Sequence, residues 1–155
     1  MNHISLESKT TIRKMELADI DQVMVVDSAS FPTPWPREIF DQEIRKNDFA
    51  YYYVLEQDGH IIGYAGTWMV LGDAQVTNIA LLPEMRGKKL GEKLFKYVLT
   101  QAVALGMQRL SLEVRVSNQI AQRMYRKFGL VPGGVRKNYY TDNGEDAIVM
   151  WVDLS

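Results

Sequence analysis

The sequence predicts an α/β domain of the α+β kind, a mixed and mostly antiparallel sheet of about seven strands flanked by four helices. Three observations lead there. Two β-rich runs, AYYYVLEQ at 50–57 and HIIGYAGTWMVL at 60–71, meet at Asp58-Gly59, a pair suited to a two-residue hairpin turn. A mostly apolar run near 75–82 passes through a glycine-bearing loop into apolar residues at helical spacing, Leu90, Leu94, Val98 and Ala102. RLSLEVRV at 109–116 then alternates strictly, and a strand reached through a helix is most readily parallel to its predecessor.

The elements follow in order. Residues 1–9 are polar and expected to fray. Thr10 to Met15 reads as a short strand, and Ala18 to Ala29 as an amphipathic helix whose core side is Ile20, Val23, Met24 and Val26. FPTPWP at 31–36 stops any helix, since three prolines fall within six residues. Helical spacing resumes from Arg37 to Lys46 through Ile39, Phe40 and Ile44. After the hairpin, Gly72-Asp73 turns the chain into a strand at 74–82, and a helix at 90–105 ends at Gly106. Ser117 or Asn118 caps a further helix that runs to Phe128 and stops at Gly129. Two strands near 131–140 and 146–154 flank the turn TDNGED.

With 155 residues the chain is expected to form one domain, residues 1–155, with a proper hydrophobic core. It has no apolar run of about 18 residues to span a membrane and no apolar N-terminal signal core, so the expected location is cytoplasmic. Zero cysteines exclude disulfides, zinc–thiolate sites and a cysteine acyl-enzyme. The two histidines, His3 and His60, make a histidine metal site or a Ser–His pair improbable, so no metal is expected and any base should be a carboxylate. A net charge of −1 gives no general pull toward nucleic acid or a membrane.

The stretch Arg86, Gly87, Lys88, Lys89, Leu90 and Gly91 feeds the start of a helix, where unpaired N–H groups and the positive end of the helix dipole favour an anion. Spacing excludes two phosphate loops. GxxxxGK with Ser or Thr does not fit Gly87 and Gly91, and GxGxxG is absent. Read alone, the stretch is equally a ligand-free strand–helix connection.

It also resembles the acyl-CoA pyrophosphate loop of the GNAT acetyltransferases, Arg/Gln-x-x-Gly-x-Gly/Ala, with Arg86 and Gly91 at the ends and Lys89 where the first glycine is usual. The substitution requires Lys89 to adopt a helical conformation with its side chain outward. VTNIALLP, SLEVRVSN, QRMYRKFGL and RKNYYTDNGEDAIVM are similar to successive motifs of the bacterial ribosomal-protein alanine N-acetyltransferases, the RimI family, and the element order is that of the GNAT fold.

The resemblance implies two central parallel strands splayed to hold acetyl-CoA as co-substrate, with Ile79, Ala80 and Leu81 lining the pantetheine arm and the Leu81 N–H facing the thioester carbonyl. It implies Glu113 as general base, although a charge on the polar face of a strand explains that residue equally simply. It implies Tyr125 as general acid, although the stripe Ala121, Met124, Tyr125 and Phe128 also reads as core packing. Asn118 is a candidate contact to the CoA arm or simply an N-cap. Tyr139 and Tyr140, with Phe31, Trp35 and the acidic Asp142, Glu145 and Asp146, are candidates to hold the acceptor. Phe31 and Trp35 equally plug the core, and the tyrosines equally belong to a strand pair closed at Asn143-Gly144. The lysines 88, 89, 93 and 96 read as a solvated face near the CoA phosphates.

The expected reaction is transfer of acetyl to the N-terminal alanine of a small-subunit ribosomal protein. The expected partners are acetyl-CoA and that N-terminus, without direct nucleic-acid or membrane contact, and with a monomer or weak dimer. The alternatives are a GNAT enzyme acting on a small amine, polyamine or lysine side chain, and a non-catalytic module that binds CoA or a partner.

Overall fold

In a computed structural model the chain is described over residues 9–155. His3 and all but the last residue of the expected frayed segment lie outside the described residues. Seven strands, β1 (Thr10–Lys14), β2 (Ala50–Gln57), β3 (His60–Val70), β4 (Asp73–Leu81), β5 (Arg109–Arg115), β6 (Val131–Arg136) and β7 (Ala147–Asp153), form one sheet in the order β1-β2-β3-β4-β5-β7-β6. The helices are α1 (Ile20–Ser30), α2 (Arg37–Lys46), α3 (Leu90–Ala104) and α4 (Gln119–Lys127). As the alternation in residues 109–116 predicts, β5 runs parallel to β4 and antiparallel to β7.

The hairpin between β2 and β3 turns on Asp58 (φ 51°) and Gly59 (φ 81°), both left-handed, as a two-residue turn demands. The next turn lies one residue earlier than the sequence suggests. Leu71 (φ 50°) and Gly72 (φ 86°) carry it, and Asp73 already opens β4. Leucine rarely adopts that conformation, so composition points past it.

Contacts divide the chain into two compact units, one of residues up to Gly66 with Asn78–Phe95, the other of Thr67–Thr77 with Lys96–Ser155. In the first, Met15, Ile20, Val23, Val26, Phe40, Tyr52, Val54, Ile61, Tyr64 and Ala80 form a buried cluster, with Phe31 and Trp35 packed against it. A 3-10 turn at Leu17–Asp19 delays α1, because the Asp19 carboxylate accepts the Glu16 N–H at 2.7 Å and a two-pronged contact from Arg13 at 2.8 and 2.9 Å. The buried side of α1 contains Asp27 in place of the expected Met24, which is only partly buried.

Two glycines of β3 make room for side chains. A Cβ at Gly63 would lie 2.6 Å from the Leu81 Cδ2 and 3.0 Å from the Ala80 carbonyl oxygen, and one at Gly66 would lie 2.4 Å from the Tyr52 ring.

In the second unit Leu110, Leu112 and Val114 are buried along one face of β5 as predicted. Val116 is not part of that face, because β5 ends at Arg115 and Val116 is largely exposed. The last strand pair is also shorter than expected. β6 stops at Arg136, so Tyr139 and Tyr140 belong to a ten-residue loop, 137–146, and not to a strand closed by a tight turn.

Candidate active site

The first unit carries the loop resembling a CoA site. Leu82 N–H donates to the Ile62 carbonyl at 2.8 Å, so the N–H and C=O of Leu81 face the opposite edge of the strand, because successive residues alternate. The Leu81 carbonyl there accepts Ser30 Oγ at 3.2 Å and Arg86 Nη2 at 3.4 Å. The Leu81 side chain fills the notch left at Gly63. A 3-10 turn, Pro83–Met85, then leads into Gly87 (φ 78°) and Lys89 (φ 63°).

Lys89 is exposed, as expected, but left-handed, and α3 begins one residue beyond it. That conformation explains why glycine is usual at this position: a Cβ there costs about 1 kcal/mol. Gly87 and Lys89, both left-handed, bend the chain sharply just ahead of the helix. The helix ladder opens with Lys93 N–H to the Lys89 carbonyl at 3.2 Å, so the amides of Leu90 and Gly91 precede it and lie at its positive end. Lys93 is exposed, as expected of a solvated face, and it has a structural partner as well. Its ammonium binds the carbonyl oxygen and hydroxyl of Thr10, which ties α3 to β1.

Phe31 and Trp35 are half-buried, with Trp35 5.4 Å from Phe40. Their loop is fixed by Asp27, a buried carboxylate that sequence reasoning left unplaced. It accepts the Trp35 N–H at 2.8 Å and the Tyr64 hydroxyl at 2.5 Å. Burial raises the Asp27 carboxyl above its ordinary range and the Tyr64 phenol well above its own.

The second unit carries the ionisable candidates. Glu113 lies on β5 opposite Val149, and its side chain is only 12% exposed. Its Oε2 is 3.1 Å from Arg136 Nε, and its Oε1 accepts Gln75 Nε2 at 3.4 Å. Tyr125 on α4 is buried, and burial followed by the neighbouring Tyr140 pushes its phenol well above 10. Such a phenol stays protonated at every physiological pH and serves as a hydrogen-bond donor. Asn118 takes the capping role: its Oδ1 accepts the Ala121 N–H at 3.1 Å. Gln122, buried and not anticipated, donates to the carbonyls of Arg115 and Val116 at 2.9 and 3.0 Å and pins α4 to the end of β5.

Tyr139 and Tyr140 meet edge to face, 5.1 Å apart at 89°. Arg115 holds them. Its Nη2 reaches both Asp142 oxygens at 3.1 Å, its Nη1 reaches Glu145 at 3.2 Å, and its guanidinium lies 4.0 Å from the centre of the Tyr140 ring. Glu145 also accepts the Ser117 N–H at 2.7 Å, and hydrogen bonding from the Ser117 side chain first, then from that N–H, with Arg115 adding to them, lowers its carboxyl to about 2. Burial pushes the Tyr140 phenol up to about 12.

Each member of the acidic trio has a basic partner within the chain. Asp142 and Glu145 share the single positive charge of Arg115, while Asp146 accepts the Asn138 N–H at 2.9 Å and lies 3.5 Å from Lys137 Nζ. The clamp was hidden in sequence because Arg115 sits 27 and 30 residues from its partners.

Residues 20–130 match the acetyltransferase (GNAT) family. The chain belongs to that family. It is 51% identical over 150 residues to a Bacillus subtilis protein provisionally named ribosomal protein bS18-alanine N-acetyltransferase, covering 97% of this chain and 99% of that one. The Escherichia coli K12 ribosomal protein bS18-alanine N-acetyltransferase is 31% identical over 147 residues, 94% and 98% of the two chains. The crystal structure of the E. coli ribosomal-protein-S18-alanine N-acetyltransferase superposes with a TM-score of 0.88 at 30% identity, over 95% of each chain. The mixed seven-stranded sheet with four helices is therefore a GNAT fold, and members of the family use acetyl-CoA. Among the described residues no helix is long and apolar enough to cross a membrane, and no cluster of three or more His, Asp or Glu side chains is arranged to hold a metal ion.

Proposed function

We propose that this chain is a single GNAT domain that transfers acetyl from acetyl-CoA to the α-amine of the N-terminal alanine of a small-subunit ribosomal protein, in the cytoplasm. The observation that carries the reading is the near end-to-end 51% identity with the B. subtilis protein. The side-chain set Glu113, Tyr125, Tyr139 and Tyr140 supports it.

The chemistry follows from the groups in place. An α-ammonium with a reference pKa of about 7.7 to 8.0 must lose its proton before it can attack a thioester, and Glu113 accepts it. The amine nitrogen then bonds to the carbonyl carbon, and the Leu81 N–H donates to the resulting oxyanion, a contribution of a few kcal/mol. On collapse the carbon–sulfur bond breaks, Tyr125 gives its proton to the departing sulfur, and the second proton shed by the amine nitrogen as it becomes an amide restores the phenol. The pyrophosphate sits on the N–H groups of residues 86–91, Ile79 and Ala80 flank the pantetheine arm, and Asn118, whose Oδ1 caps α4, contacts the CoA arm through its amide nitrogen. Phe31, Trp35, Tyr139 and Tyr140 contact the acceptor. With no cysteine in the chain, transfer is direct within a ternary complex.

The test is incubation with acetyl-CoA and a panel of acceptors, read by fragment-ion mass spectrometry. Acetyl on the α-amine of an alanine-starting ribosomal peptide is the expected result. Acetyl on lysine side chains, or free polyamines outcompeting the peptide, would leave the family membership intact and overturn the substrate. Steady-state lines should intersect, and a trapped acetyl-enzyme would overturn direct transfer.

A further inference from the structure

Glu113 has company that the reaction outlined above does not use. Arg136 Nε sits 3.1 Å from its Oε2, and the same guanidinium lies 5.8 Å from the centre of the Tyr139 ring. A carboxylate beside an aromatic face is a favourable place for a cation. Here the chain supplies the cation itself. The two partners differ in freedom: the Glu113 side chain is enclosed, whereas that of Arg136, the last residue of the edge strand β6, is 57% exposed. The arginine can swing out while the carboxylate stays.

We propose that Arg136 is a resident cation that holds the acceptor-ammonium position beside Glu113 and Tyr139, so that an acceptor binds by displacing it. This rests on the reading of Glu113 as the base. The exchange replaces one positive charge by another, so the enclosed carboxylate is never left bare, which would be costly. It also replaces a cation that does not deprotonate by one that does, since guanidinium keeps its proton in proteins and an α-ammonium titrates near neutrality. A neutral group gains no such exchange and leaves the arginine in place. The pair thereby selects acceptors that arrive as cations and can then be deprotonated, and Arg136 is a specificity-determining residue.

The experiment compares Arg136→Gln and Arg136→Lys with the parent enzyme. Calorimetry measures the affinity of an alanine-starting peptide for the enzyme–CoA complex, and steady-state kinetics give KM for each substrate. An exposed ion pair is a weak competitor, so Arg136→Gln should tighten peptide binding about threefold and lower the peptide KM by a like factor. Arg136→Lys, which keeps the charge, should return both toward the parent values. Unchanged or weaker peptide binding in Arg136→Gln overturns the proposal. Glu113→Gln separates it from the reading beneath it. If that variant turns over normally, the base assignment falls and takes the resident cation with it. If it is crippled while Arg136→Gln leaves peptide affinity unmoved, only the resident cation falls.

Discussion

On the function proposed above, the loops at 82–91 and 137–146 solve opposite problems, and they are built differently. The first offers an anion its backbone, so it uses two left-handed residues, Gly87 and Lys89, and leaves the side chains of residues 86–89 exposed to solvent. The second offers an acceptor its side chains, so its backbone must be tied down, and one guanidinium holds Asp142, Glu145 and the Tyr140 ring together. A long loop without regular structure is otherwise free to wander. A loop that binds through N–H groups tolerates most side chains but few changes of backbone or local charge. A loop that binds through rings tolerates loss of none of its anchors.

The comparison breaks if perturbations of one loop reach the other substrate. The largest effect expected is from Gly91→Asp, which places negative charge in the first turn of α3 against the phosphates. Acetyl-CoA affinity by calorimetry should fall about a hundredfold or more, with thermal stability little changed. Unchanged affinity would remove the pyrophosphate from this loop. Arg115→Ala comes next. Without the clamp the tyrosine pair loses its fixed position, and the acceptor KM should rise about tenfold while that for acetyl-CoA stays within about twofold. A rise confined to acetyl-CoA would reverse the roles given to the two loops.

A pH experiment sharpens the point at smaller amplitude. The folded Glu145 carboxyl titrates at about 2, below the ordinary value of 4.5. Its anchoring is therefore complete above about pH 4.5 and lost as pH falls toward 2. Near-ultraviolet circular dichroism of the tyrosines should hold steady from pH 8 to 5 and decline below that. In Arg115→Ala the decline should start at a higher pH. The smallest effect belongs to Lys89→Gly. Relief of the left-handed lysine and the added freedom of the unfolded chain each amount to roughly 0.5 to 1 kcal/mol and oppose one another. Melting temperature and acetyl-CoA affinity should both stay near those of the parent. A large loss of affinity would mean that the Lys89 side chain binds the ligand.

The same contrast separates what the sequence displays from what it conceals. Local devices are visible: the Asp58-Gly59 turn, the buried stripe Leu94, Val98 and Ala102, the alternation along β5 and the Asn118 cap each fall within a few residues. Arg86 and Gly91, which carry the resemblance to a phosphate loop, are legible for the same reason. Partnerships across distance are not visible. Asp27 resembles an ordinary surface acid until Tyr64, 37 residues on, is folded over it, and the ion pairs of Arg115 and Arg136 give no periodic signal. Acidic residues 142, 145 and 146 read as free charges in the sequence, whereas Arg115 and Lys137 pair with them in the fold.

Gly63 has a consequence for genetics. The Leu81 side chain rests where a Cβ would stand, so the position of the Leu81 amide depends on a codon that encodes no side chain at all. Glycine and alanine codons differ by one nucleotide, and the substitution would press first on Leu81 and on the Ala80 carbonyl. A saturation screen scored for both abundance and activity should therefore find alanine at 63 among variants that accumulate normally yet acetylate poorly. Scored for abundance alone, the same screen would class position 63 as tolerant.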